Sequence, residues 1–257
     1  MNNCNLLKII INADDLGMDS QTNELVSELM SQKKITSATI MANGSNWEEA
    51  VRMQDIFPHC SFGVHLNLTS GRPLSEDLNC LSYIIDSCGR FAGLDSLLNA
   101  PKSLSFLQGI YDELSSQIIR LMSLGLNISH IDSHQHVHNI PSLFPVVKML
   151  QIKFGIRRIR ISKNLFAENE CSNFLCFKKN VFNFSLKKIY KSYTTDLFSS
   201  FETFFSVGVK ENLPGKSIEL MVHMRMNEEG WSDYKMLQSN WQDELLFPVT
   251  LVSYSRL

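Results

Sequence analysis

No CxxC pair occurs among the six cysteines, at positions 4, 60, 80, 88, 171 and 176. That absence removes the thiolate spacing of zinc ribbons and dithiol redox sites. Reduced thiols in a cytoplasmic setting are the expectation. No apolar run approaches the roughly 20 residues needed to cross a bilayer. Neither a basic leader nor a cleavable apolar segment precedes the first strand-like stretch. No charge of one sign dominates: 24 Lys and Arg against 26 Asp and Glu leave −2. The chain as a whole is therefore not drawn to nucleic acid or anionic membrane. Glycine-rich phosphate loops and internal repeats are missing as well. What remains is an ordinary globular composition, 44 % hydrophobic and 19 % charged, over 257 residues. That length buries a core without staples.

Histidine is also scarce, seven in all, yet four of the seven lie within His130-Ile131-Asp132-Ser133-His134-Gln135-His136-Val137-His138. A metal ion or proton-transfer chemistry gathers imidazoles in this way. Residues 128–133 read as a strand, so His130, Asp132 and His134 project from one face and Ile131 and Ser133 from the other. Asn139-Ile140-Pro141 opens a helix. The histidines thus occupy the carboxyl end of a strand and the loop after it, where α/β folds carry their chemistry.

The rest of the chain supplies the frame. Residues 6–12 form an apolar, β-branched run, expected as a strand buried on both faces and ending at Ala13-Asp14-Asp15-Leu16-Gly17. Helix 19–32, strand 35–42, helix 46–56 and strand 61–68 follow, a βαβαβ order that implies parallel strands. Residues 69–105 break the pattern and read as an insertion beside a site. Helix 106–124, the histidine strand, helix 141–154 and strand 156–162 come next. A second, basic and aromatic insertion covers 163–193. Residues 194–205 are expected helical, then strand 217–223, helix 234–246 and strand 249–254. The sum is one domain over 1–257, a distorted or incomplete (β/α) barrel of about seven parallel strands. An open doubly wound sheet is the alternative.

Three strand ends carry matching polar groups: Asp14-Asp15, His65 and His134. In a barrel they converge on one mouth. One carboxylate and two imidazoles make a catalytic metal set with open positions, and a second carboxylate beside it serves as general base. Taken singly, the Asp pair reads as a turn or helix cap, His65 as a core histidine, and His136 and His138 as solvated or as supports behind the ligands, with Asp132. His223, at a separate strand end, is the candidate acid. Arg160 either orients Asp14, contacts a substrate or forms a surface pair.

Ala13-Asp14-Asp15-Leu16-Gly17, Gly63-Val64-His65-Leu66-Asn67-Leu68-Thr69 with Gly71-Arg72-Pro73-Leu74, and the histidine cluster closely resemble the motifs of the YdjC-like carbohydrate deacetylases. That family includes chitooligosaccharide deacetylases and a hopanoid-associated N-acetylglucosamine deacetylase. Thr194-Thr195-Asp196 and Glu219-Leu220-Met221-Val222-His223 are similar to its later motifs. The resemblance implies a divalent metal, Mg2+ or Zn2+, held by Asp15, His65 and His134, with Asp14 as base. It implies removal of an N-acetyl group from an amino sugar or oligosaccharide. Asn67, Arg72 and Arg160 are the expected substrate contacts. Met224-Arg225 stands where the family has Pro-Gly, and Leu16 where it has Phe. Another metal-dependent hydrolase of phosphoesterase type, or a non-catalytic carbohydrate-binding relative, are the rival readings. No nucleic acid and no integral membrane segment are expected; a homodimer is possible. In the second insertion, Phe174, Phe177, Phe182, Phe184 and Tyr190 alternate with lysines. Either the aromatics of an amphipathic helix reach the core, or the helix is a lid whose aromatics stack on sugar and whose lysines meet a diphosphate or anionic lipid.

Overall fold

The computed structural model describes residues 6–76, 78–168, 170–225 and 232–257. Its centre is β1 (Leu7–Leu16), in which every residue but Lys8 and Asp15 is buried. A strand this apolar needs cover on both faces, and it has it. The chain continues through α1 (Ser20–Ser31), β2 (Ser37–Ile40), α2 (Trp47–Ile56) and β3 (Ser61–Leu66). After a 3-10 turn come α3 (Leu94–Asn99) and α4 (Leu104–Ser123), then β4 (Ile131–Ser133) and α5 (Phe144–Phe154). α6 (Asn173–Phe184), β5 (Leu197–Ser200), α7 (Phe201–Gly208), β6 (Ser217–Val222), α8 (Asp233–Gln238) and β7 (Val249–Leu251) complete it. No helix among the described residues is long and apolar enough to cross a membrane.

All pairings between named strands are parallel, in the order β4-β3-β2-β1-β6-β5, with β7 on β1. β7 takes the start of β1 at Leu7–Ile9, and β2 takes its end from Asn12 onward. The path curls toward closure through single contacts. Ile131 N–H donates to Arg158 O and Arg160 N–H to Ile131 O, each at 3.0 Å. Arg157 O accepts from Tyr193 N–H at 3.0 Å, and Asn164 N–H donates to Phe198 O at 3.2 Å. The fold is a distorted, incomplete parallel (β/α) barrel, as the βαβ rhythm of the sequence requires.

The strand membership differs from expectation. Residues 156–162 are extended but join their neighbours only by isolated bridges, Ile131 to Ile159 and Arg158 to Tyr193. β4, three residues long, is too short to ladder with them. Conversely, 194–205 is not one helix: Leu197–Ser200 is a strand on β6, and the helix starts at Phe201. Ser200 decides the boundary by accepting from Thr203 N–H as the helix cap. The helix expected from 141 begins at Phe144, because a turn through the histidines delays it.

The second insertion contains the expected helix but not the expected packing. Phe174, Phe177 and Phe184 are 60–68 % exposed, and Tyr190 is also exposed. Phe182 and Tyr190 meet the core residue Phe144, at 5.3 and 4.6 Å between ring centres. Phe174, Phe177 and Phe184 do not reach the core because the inward face of α6 is set by Asn183. Its amide clamps Ser162, accepting from the N–H at 2.8 Å and donating to the C=O at 2.9 Å.

Candidate metal and proton-transfer site

Period-two alternation would send Asp14 and Asp15 to opposite faces of β1. The pairing of β1 with β2 slips between Ala13 and Leu16, and Asp15 has φ of 61°. This bulge in the left-handed region, which Asp tolerates better than most residues, turns both carboxylates toward the mouth. They line one small cleft of about 50 Å³ with Met18, Thr22, His223, Met224 and Arg225.

Asp15 Oδ1 faces His65 Nε2 at 3.2 Å and His134 Nδ1 at 2.8 Å. His65 is fixed from behind: its Nδ1–H donates to Asp132 Oδ1 at 2.8 Å. A neutral His65 keeps its only ring proton there, because a carboxylate can only accept. Its Nε2 then points a lone pair at the Asp15 carboxylate, and that pair needs a positive charge between its members. A proton or a cation supplies it: burial lowers the His65 pKa, but Asp132 and Asp15 more than offset that and raise it well above the ordinary imidazole value. The three donor atoms lie within 4.8 Å of one another, the spread of a set able to hold a metal ion. Asp15, His65 and His134 therefore fit one divalent cation by donor chemistry and convergence.

Asp14 has different company. Arg160 is fully buried, and its nitrogens reach Asp14 Oδ2 at 2.7 Å and Oδ1 at 2.6 Å, Asp132 Oδ2 at 2.9 Å and Glu219 Oε1 at 2.8 Å. The group Asp14, His65 and Asp132 also converges, but this guanidinium already supplies its positive charge. Asn12 sits at the hub. Its amide donates to Asp14 Oδ1 at 2.9 Å and to Thr39 Oγ1 at 3.1 Å, and accepts from His130 Nε2–H at 3.1 Å. Thr39 in turn donates to Asp132 Oδ2 at 2.9 Å. Below, Tyr254 hydrogen-bonds Glu219 and stacks on His130, with ring centres 3.7 Å apart.

The comparisons bear on this arrangement. A family model described as YdjC-like protein matches residues 8–249. The chain belongs to the YdjC-like family. A carbohydrate deacetylase of Brevibacillus brevis is 37 % identical over 151 residues, 58 % of each chain. Another, of Geobacillus stearothermophilus, is 36 % identical over 157 residues, 60 % of each. This YdjC-like chain thus spans about three fifths of the length of the curated relatives it matches. A putative cellobiose-phosphate cleavage protein from Enterococcus faecalis V583 has the same fold, with TM-score 0.73 and 21 % identity over 98 % of both chains.

Electrostatics divide the YdjC-like site in two. Burial alone raises the Asp14 carboxyl, but the Arg160 guanidinium outweighs it and holds Asp14 well below the usual carboxylate range. Asp15 is likewise held low: burial raises it, and hydrogen bonds from His134 and His65 more than offset that. Glu219 goes the other way. Burial lifts it to about 7 against the pull of Arg160. Burial also keeps His130 and His138 neutral and pushes His136 down to about 3.

The remaining expected residues fall as follows. Asp132 meets His65 directly. His136 and His138 bond to none of Asp15, His65 and His134; His138 Nδ1 pairs with Ser133 Oγ, and His136 packs edge-on to Phe198. The loop carrying them has left-handed residues at Gln135 and His136, which swing those side chains off the ligand face. Asn67 is buried and its amide is spent on its own loop and on Asn43. Its Oδ1 accepts from Thr69 and Ser70 N–H, and its Nδ2 donates to Asn43 Oδ1 and Ser70 O. Arg72 is exposed on that loop, which Glu113 of α4 pins by accepting from Leu74 and Ser75 N–H. Arg160 has no exposed surface for a sugar, so its place is behind Asp14. His223 lines the cleft, its backbone N–H held by Asp233 Oδ2 at 2.9 Å. Arg225, in the position where the family has Gly, pairs with Asp19 at the cap of α1. Sequence reasoning missed Asn12, Thr39 and Tyr254, and gave no role to Glu219 although it opens the motif Glu219-Leu220-Met221-Val222-His223.

Proposed function

We propose that the chain is a metal-dependent carbohydrate N-deacetylase that hydrolyses the acetamide of an N-acetylated amino sugar or oligosaccharide. The observation that carries the reading is the neighbouring pair of unlike carboxylates. One converges with two imidazoles, the three donor atoms lying within 4.8 Å of one another, and the other is clamped by a buried guanidinium. The naming of the curated relatives as carbohydrate deacetylases supports the substrate class.

In this reading Asp15, His65 and His134 hold the ion. The ion supplies Lewis acidity, which polarises a carbonyl oxygen and makes an adjacent water more acidic. Asp14 is the proton acceptor. Its Oδ2 accepts only one described hydrogen bond, from Arg160, so a lone pair is left for the attacking water's proton. Arg160 and Asn12 fix the carboxylate plane and keep it ionised, so the acceptor is always available. Asp132 holds His65 in the tautomer that presents Nε2. His223 returns a proton to the leaving amine from the other wall of the cleft. Arg72, on the exposed loop folded by Asn67, is the substrate contact. The five described cysteines are free thiols, in keeping with a cytoplasmic enzyme.

Acetate release across a panel of N-acetylated sugars, with and without chelator, tests the reading. Chelator-sensitive release from at least one sugar is expected. Phosphate-ester hydrolysis without acetate release would overturn it.

A further inference from the structure

α6 presents its apolar side the wrong way round for a packing helix. Phe174, Phe177, Val181 and Phe184 recur at i, i+3, i+7 and i+10, so they form one stripe about 80° wide. All four are exposed, from 49 % at Val181 to 68 % at Phe174. Asn183, the only residue buried in α6, lies on the opposite side of the wheel from Phe174 and holds that side to Ser162. The stripe therefore faces outward. It continues past the helix through Ile189, which is 64 % exposed.

The segment that carries the stripe has charge of one sign, between Glu170 before it and Asp196 after it. Residues 171–195 contain five lysines and no Asp or Glu. Lys187 alone of the five has a carboxylate partner among the described residues, Asp196 at 3.3 Å. Lys178 lies at the edge of the stripe, 4.2 Å from the centre of the Phe174 ring. Next to the helix end, Lys148, Arg157 and Lys191 share a cleft of about 280 Å³ with no acidic residue in its wall. A second copy of the chain is a poor cover for this face. Two-fold pairing would set lysine against lysine with no carboxylate in the segment to answer them. An outward aromatic stripe bordered by unneutralised lysines has the chemistry of a helix that lies in the headgroup layer of a bilayer.

We propose that α6 and the turn after it form a docking surface for an anionic lipid membrane, with the phenylalanines entering the acyl boundary and the lysines meeting the headgroups. The proposal does not rest on the deacetylase reading.

The test is sedimentation of the full chain with vesicles of equimolar phosphatidylcholine and phosphatidylserine, and separately with phosphatidylcholine alone. Co-sedimentation with the anionic vesicles at low salt is expected, weakened about tenfold or more by high salt. F177E/F184E should lose binding by a similar factor while its thermal unfolding stays that of the wild type. F177W places a reporter on the stripe, and its emission should shift to the blue only with anionic vesicles. Absence of co-sedimentation by the wild type overturns the proposal, as does equal binding to both vesicles. A dimer in sedimentation velocity that F177E dissolves would also overturn it, since a second copy would then be the cover.

Discussion

Asp14 and Asp15 line one cleft but have different partners. Asp15 meets imidazoles, Asp14 a guanidinium. Asp14→Asn keeps the shape but loses the proton acceptor, so turnover should fall at least about a hundredfold while one metal ion per chain is retained. Acetate release and metal analysis on the same sample check both halves. Arg160→Met would leave Asp14, Asp132 and Glu219 buried without their cation. A loss of about 3–5 kcal/mol in denaturant unfolding is expected. Glu219 gives a pH signature. Its carboxyl is raised from an ordinary 4.5 to about 7 in the fold. The stability it contributes is therefore fully present below 4.5 and is lost as pH rises through 7. Relative to Glu219→Gln, the wild type should lose about 3 kcal/mol across that window, read from unfolding midpoints against pH. At this scale the strand-end carboxylates and histidines were legible because polar groups at the ends of apolar strands stand out. Asn12, Thr39 and Tyr254 were not, since their side-chain partners, apart from Asp14 beside Asn12, lie 26 to 120 residues away or are met through a ring stack.

Among the elements, β1 and α6 depart most from pattern. The slip in β1 is invisible to periodicity, because Ala-Asp-Asp-Leu reads equally well as the end of a strand and the start of a turn. Only the pairing with β2 reveals that the strand runs on to Leu16. β5 was hidden for a different reason. Phe198, Phe201, Phe204 and Phe205 fall at helical spacing, so a four-residue strand disappears into the helix that follows. For α6 the sequence shows amphipathicity but not which side is inward, and the tether at Asn183 decides that. Asn183→Ala would leave the N–H and C=O of Ser162 without their partner at a buried site. A cost of about 1–3 kcal/mol is expected, with faster amide exchange concentrated in 173–189.

For the whole molecule, the alternation of strands and helices was enough to give parallel strands and a barrel, but not its closure. The closing contacts are single hydrogen bonds that leave no periodic trace. A site whose donor atoms converge on one point should stabilise the folded chain when an ion binds. At a thousandfold excess over Kd, added Zn2+ is expected to contribute about 4 kcal/mol, seen as a rise in Tm. His134→Ala should abolish that rise. The strand order has a further consequence, in the time dimension of synthesis. β1 lies in the middle of the sheet, paired with β2 on one edge and with β6 on the other. Chains are made from the N-terminus onward. Asp15, His65 and His134 are thus all on hand once residue 134 has emerged, while Arg160 and Glu219 still wait to be added. Through that interval β1 keeps one edge open, and Asp14 lies beside Asp132 with no guanidinium between them. A cation captured early by these three residues would bring positive charge to the half-built sheet before the guanidinium arrives.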